Sequence, residues 1–181
     1  TLNHTDSTDA YNTAVGNNTG ASMTTGLYNT LIGGLAGDAL TDADANTAVG
    51  QNALSADTLG SLSTAIGQGA LAQQNFTSAT NTYDTAVGYD AGSAVATGVQ
   101  NTFIGALAGD GTDDGGSNVA VGYSALSVNA GDLNTAVGHN AGLNVTGGTN
   151  CIVGAGAGDS ITSGSGNVAM GRHAGGGNLA T

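Results

Sequence analysis

Proline and tryptophan are absent from these 181 residues, one residue is a cysteine, and lysine and arginine together number one. Each shortage narrows what the chain can do. A single cation all but excludes nucleic-acid binding, because phosphate contacts need Lys or Arg to release counterions. It equally disfavours anionic lipid surfaces. One thiol, Cys151, rules out an internal disulfide framework and says little about compartment. Aromatic residues make up 4%, and the 39% hydrophobic fraction is mostly Ala and Val. Such side chains are too small for an ordinary globular core and suit thin coils with narrow interiors. No stretch approaches the ~18 apolar residues of a membrane-spanning helix, so membrane insertion is not expected, and no charged-then-apolar leader opens the chain. The ends, at Thr1 and at Gly177 to Thr181, read as cuts through a longer protein.

What is abundant is acid, glycine and repetition. Thirteen acidic residues give a formal net charge of -12, which reads as a solvating surface suited to salty water. There are 33 glycines. Ten near-copies of Asn-Thr-Ala-Val-Gly place motif glycines at Gly16, Gly33, Gly50, Gly67, Gly88, Gly105, Gly122, Gly138, Gly154 and Gly171, spaced 16 or 17 apart except for one step of 21. So short a fixed period means one solenoid coil per repeat. Helical readings fail on glycine frequency alone. The expected fold is therefore all-β, a parallel β-solenoid of about ten coils of 16–17 residues over 12–175. Residues 1–11 form a lead-in and 176–181 an exit segment. At ~4.8 Å per coil the rod would be roughly 45–50 Å long. The four residues added by the long step, within Ala72 to Tyr83, should bulge as one loop.

Aligned on the glycine, the preceding residue is aliphatic in nine coils and Met170 in the tenth. Two residues earlier stand Thr13, Thr30, Thr47, Thr64, Thr85, Thr102, Val119, Thr135, Cys151 and Val168. These columns share one face of a strand. Exchange among near-isosteric Thr, Val and Cys points to a tight slot, so both columns are expected inside the coil. The opposite face carries a column of eight Asn with Ser63 and Asp84, and the column Ala14, Leu31, Ala48, Ala65, Ala86, Phe103, Ala120, Ala136, Ile152 and Ala169. An outward column that is always apolar and usually small marks contact with another copy of the chain. Those ten residues are the expected interface between copies, and Ala136→Glu should dissociate them. After the glycine come two variable residues, then Ala in nine coils, then Gly or Leu. This is expected to be a second short strand with its Ala inward, followed by a turn-forming loop.

The Asn-Thr-Ala-Val-Gly-x-x-Ala rung resembles the head repeats of trimeric autotransporter adhesins. It resembles still more the repeats of bacteriophage tail fibres, with Val121 to Leu126 and Val87 to Gly92 the nearest matches. That resemblance covers about Asn12 to Gly175 and implies a left-handed β-roll, three parallel copies around an axis, and attachment to cells. It places the chain outside the cell, on a virion tail fibre or a bacterial surface. Neither an adhesin's membrane-anchor domain nor a fibre's self-cleaving chaperone end is present in the sequence.

Chemistry is poorly represented. The three histidines, His4, His139 and His173, have no local Ser or Asp arrangement that makes a triad. The Gly154 to Gly158 run is the ninth repeat, with no Lys following, and is no phosphate loop. Asp38, Asp42 and Asp44 share one loop and are the calcium candidates, set against a solvated acidic loop. The Asn-x-Ser/Thr sequons at Asn3, Asn17, Asn75 and Asn144 follow from composition. No cofactor and no catalysis is expected. Variable residues after the glycine include Tyr89, Tyr123 and His139, which would line one exposed edge and form the candidate contact with a receptor or glycan. The leading expectation is a non-catalytic segment of a homotrimeric fibre that spaces or presents receptor binding. The alternative comes from another class: Thr-x-Val and Thr-x-Ile in regular rungs resemble the flat Thr ladders of some solenoid antifreeze proteins. It requires both columns to face outward, leaving mainly Ala and Gly inside.

Overall fold

The computed structural model describes residues 10–176, which consist of strands and turns without a helix. The segments 1–11 and 176–181 fall almost wholly outside that range, as do His4 and Asn3. Every repeat contributes one three-residue strand: β1 (Thr13–Val15), β2 (Thr30–Ile32), β3 (Thr47–Val49), β5 (Thr64–Ile66), β7 (Thr85–Val87), β8 (Thr102–Ile104), β9 (Val119–Val121), β10 (Thr135–Val137), β11 (Cys151–Val153) and β12 (Val168–Met170). These ten stack in chain order into one parallel sheet. Register is unbroken, motif on motif, as in Thr47↔Thr64, Ala48↔Ala65 and Val49↔Ile66. The fold is a parallel β-solenoid. A second, two-stranded sheet pairs β4 (Gly60–Ser61) with β6 (Thr80–Asn81) beside the long step. Its extra residues emerge between Gln74 and Asp84, with Phe76 tucked in and Thr77 to Ala79 exposed.

Side-chain parity is the reverse of the expectation. The column Ala14, Leu31, Ala48, Ala65, Ala86, Phe103, Ala120, Ala136, Ile152 and Ala169 points into the coil. Its six members from Leu31 to Ala120 and the next two, Ala136 and Ile152, are 0% exposed in the single chain, while Ala14 in the first described coil is half-buried. These residues are core and do not face a sister copy. The threonine and Val/Ile columns, with Cys151, point outward.

The asparagines explain the inversion. A polar column is expected to face solvent, but these amides turn inward and bond there, with the Asn118 Nδ2 left without a partner. Each Oδ1 accepts the backbone N–H of its counterpart one coil on, as from Asn46 to Asn29 (2.9 Å) and from Asn134 to Asn118 (2.9 Å). The Nδ2 of Asn46 donates to the Gly60 carbonyl and that of Asn150 to Gly164. A buried amide with both ends bonded carries little penalty. Once Asn turns inward, period-two alternation sends Ala inward and Thr and Val out.

The interior is too thin for two aliphatic columns, and it fills by complementation. Where the strand contributes Leu31, Phe103 or Ile152, the residue four after the motif glycine is Gly37, Gly109 or Gly158. A Cβ on those glycines would lie 2.9, 2.6 and 2.9 Å from the large side chain of the same coil. Where the strand contributes Ala48, Ala65 or Ala120, that position is Leu54, Leu71 or Leu126, all fully buried. The Ala column after the turn is inward as expected, from Ala36 through Ala157.

The expected second strand is instead a stack of turns. Two residues per coil adopt positive φ there, such as Asn52 (58°) and Leu54 (54°), which interrupts an extended chain. Hydrogen bonds still run from coil to coil, including Leu54 N–H to the Ala70 carbonyl at 3.0 Å. The motif glycine does turn the chain. Gly33 has φ 134°, and a Cβ there would stand 2.5 Å from the Gly50 carbonyl oxygen, so no side chain fits.

Candidate functional site

The strands together present one flat face made of two parallel columns. The first is Thr in seven of the ten rungs, replaced by Val119, Cys151 and Val168 toward the C-terminal end. The second is Val15, Ile32, Val49, Ile66, Val87, Ile104, Val121, Val137, Val153 and Met170. Within it Ile32, Ile66, Ile104 and Val137 are 36–41% exposed, and the end members Val15 and Met170 more so. The face therefore carries an uninterrupted aliphatic ridge beside a ridge of hydroxyls, rung upon rung at ~4.8 Å. Its in-register pairing keeps both ridges straight. A continuous apolar stripe of this kind exceeds the scattered exposed hydrophobics of a free-standing surface. Apart from the thiol of Cys151, the face offers methyl groups and hydroxyls.

The expected aromatic edge is present but short. Tyr89 and Tyr123 are about half exposed, at 52% and 51%. Tyr123 stacks on His139 one coil on, with centroids 5.5 Å apart and planes 15° from parallel. Tyr89 is separated from that pair by the coil carrying Ala106 and associates with its neighbour Asp90. The hydrogen bond and charge of Asp90 hold the Tyr89 phenol above its usual range. A second aromatic pair escaped the sequence reading: Tyr11 and Tyr28 stack at 5.7 Å and 2°. Both occupy the left-handed corner immediately before the asparagine, with φ 49° and 60°. Their 17-residue separation, equal to the period, was the available signal.

The loop carboxylates serve the coils. Asp42 Oδ1 accepts from the Thr25 hydroxyl at 2.5 Å, and Asp44 Oδ1 from the Leu27 N–H at 2.7 Å. Asp38 is partly desolvated, which raises its pKa, and its Oδ1 has no hydrogen-bond partner. Among the described residues no three His, Cys, Asp or Glu side chains come together, so Asp38, Asp42 and Asp44 do not form one ligand set. A shallow groove of about 320 Å³ runs along Val99, Asp114, Ser117, Asp132 and Leu133. Asp132 there is engaged by the Gly116 N–H at 2.8 Å.

No protein-family model matches the sequence, and no curated protein or solved structure matches it.

Proposed function

We propose that the chain is a non-catalytic segment of a self-associating fibre, a parallel homotrimer displayed outside the cell on a phage tail fibre or a bacterial surface. It spaces or presents receptor binding, with the Tyr123–His139 pair as the contact for a receptor or glycan. The observation that carries this reading is the uninterrupted aliphatic ridge on the strand face. Covering it in a sister copy removes methyl-rich surface from water along the whole rod, at about 25 cal/mol per Å². The copies then meet through the Val/Ile and Thr columns, and the alanine column stays within each coil. Stacked coils that dock only on their neighbours make a stiff shaft whose length changes by adding coils.

A second reading rests on the other ridge. An outward, in-register threonine column beside Val/Ile is the arrangement that the ice-binding alternative requires. Loss of the hydroxyl at Val119, Cys151 and Val168 favours self-association, because methyl contacts tolerate those exchanges and a hydroxyl lattice does not.

Sedimentation separates the two. The chain is expected to run as a trimer, and Ile104→Lys is expected to give monomers with an unchanged β spectrum, since a lysine buried between copies stays unpaired. A wild-type monomer that inhibits ice recrystallisation at micromolar concentration, and loses that activity on Thr64→Lys, would replace the fibre reading with the second one.

A further inference from the structure

Between the fourth and fifth coils the apolar filling gives way. The interior position held by Met23 and Leu40, and later by Val95, is Asp57 in the third coil and Gln74 in the fourth, all fully buried. In the fourth and fifth coils the asparagine column carries Ser63 and Asp84, each 1% exposed. Thr82, also buried, completes a polar knot, and the knot coincides with the 21-residue step and the small β4–β6 sheet.

The two carboxyls in the knot are treated differently. Asp57 is well supplied with donors: Gly60 N–H at 3.0 Å and Phe76 N–H at 3.1 Å to Oδ1, and the Gln74 amide at 2.6 Å to Oδ2. The same Gln74 amide reaches the Ser63 hydroxyl at 2.9 Å, which in turn bonds the Thr82 hydroxyl at 2.6 Å. Asp84 receives one backbone donor, the Asn101 N–H at 2.8 Å to Oδ1, as an asparagine there would. Its Oδ2 is buried with no hydrogen-bond partner. In most other coils that second side-chain atom is an Nδ2 donating to a carbonyl thirteen or fourteen residues on, as from Asn29 to Ala43, Asn101 to Gly115, Asn134 to Gly147 and Asn150 to Gly164, whereas the buried Asn118 Nδ2 has no partner. The residue fourteen on from Asp84 is Gly98. An ionised carboxylate only accepts, and a carboxylic acid donates.

We propose that Asp84 stands in the asparagine column as a protonated acid, its hydroxyl replacing the missing Nδ2, so that the joint between the fourth and fifth coils is a pH-sensitive weak point of the rod. Asp57 supplies the charge that acts on Asp84. The other groups in the knot, Ser63, Gln74 and Thr82, with Asn101 from the next coil, are neutral. The chain's one Lys or Arg, Arg172, is exposed in the last coil and compensates neither acid. Desolvation by burial raises the Asp84 pKa to about 7, against lowering by the Asn101 hydrogen bonds and with a further raising contribution from Asp57.

The sign follows from linkage. An acid whose pKa is higher folded than unfolded favours the fold fully below its unfolded value of 3.8. That contribution is lost progressively as pH climbs to about 7, and above it no further change comes from this group. Over that window the folding equilibrium would weaken by roughly a thousandfold from Asp84 alone.

The test is thermal melting of the full chain and of Asp84→Asn from about pH 3 to about pH 9. Because the many surface carboxylates also titrate, the difference between the two proteins is the readout. Their melting temperatures should coincide at the acid end, with the variant progressively more stable through neutrality. A constant gap, or a variant no more stable than wild type at the alkaline end, overturns the proposal. Carbon NMR of the aspartate carboxyls in the unmutated protein decides independently of any variant's folding. One carboxyl should titrate near neutral pH and shift to lower pH in Asp57→Asn. A protein whose aspartates are all ionised by about pH 5 overturns it as well.

Discussion

Ala136→Glu is expected to open the coils around β10 and leave no intact monomer behind. An alanine column facing a sister copy would instead give dissociation of otherwise sound copies, and the two outcomes separate cleanly. Ala136 is fully buried, paired in register with Ala120 and Ile152 on either side. A glutamate there has no cation within the coil and no room. An unpaired buried charge costs at least about 3 kcal/mol, and overpacking adds about 1–3 kcal/mol. Set against a total stability of about 5–15 kcal/mol for a domain, this is enough to melt several coils. Because each coil docks only on its neighbours, the damage should be local. Amide exchange is expected to accelerate first across Val119 to Val153 and last near β2. A folded Ala136→Glu protein with native exchange throughout would mean that the alanine column is not core.

The architecture was legible because it depends only on period. Seventeen-residue spacing, glycine at a fixed register and turn-forming loops require stacked coils whichever way the side chains point, and the ten-stranded in-register sheet follows. Parity was not settled by the same evidence. Thr, Val and Cys at one position are near-isosteric, which fits a tight slot and equally fits a flat packed face. Asparagine alone points to water, because polar groups cost free energy when buried, yet that penalty falls away when an amide bonds the backbone of the next coil. The decisive signal lay in how two columns vary together. Leu31, Phe103 and Ile152 fall in the coils that have Gly37, Gly109 and Gly158, whereas Ala48, Ala65 and Ala120 fall in the coils with Leu54, Leu71 and Leu126. Columns that exchange volume share an interior, and where both are small, as at Ala86 with Gly92 and Ala136 with Gly142, large side chains of the neighbouring coils (Phe103 and Leu71, Leu126 and Ile152) reach in. The knot shows in the same way: Asp57 and Gln74 replace apolar residues in the third and fourth coils, and Ser63 and Asp84 replace asparagine in the fourth and fifth. The candidate edge of Tyr89, Tyr123 and His139 was placed correctly on the surface, but stacking of two of them depends on adjacency that the intervening Ala106 denies to Tyr89.

Volume exchange makes a sharper prediction at Phe103, the largest fully buried side chain among the described residues. Phe103→Ala is expected to destabilise the rod by about 3–5 kcal/mol, the range for emptying an aromatic site in a packed core. Gly109→Leu in the unmutated background should also be destabilising, since its Cβ would fall 2.6 Å from the Phe103 ring. Combined, the two changes recreate the Ala-plus-Leu filling that the coils of Ala48, Ala65 and Ala120 already use. The backbone permits this, because Leu54, Leu71 and Leu126 hold the same left-handed corner at φ 54°, 49° and 51°, close to the 63° of Gly109. A left-handed leucine leaves about 1–2 kcal/mol unrecovered, so rescue should be partial. Even so, the double variant is expected to be more stable than either single one, with a coupling of about 2 kcal/mol or more in a chemical-denaturation cycle. Strictly additive losses would show that the two positions fill separate spaces, and the interior described for these coils would have to be redrawn.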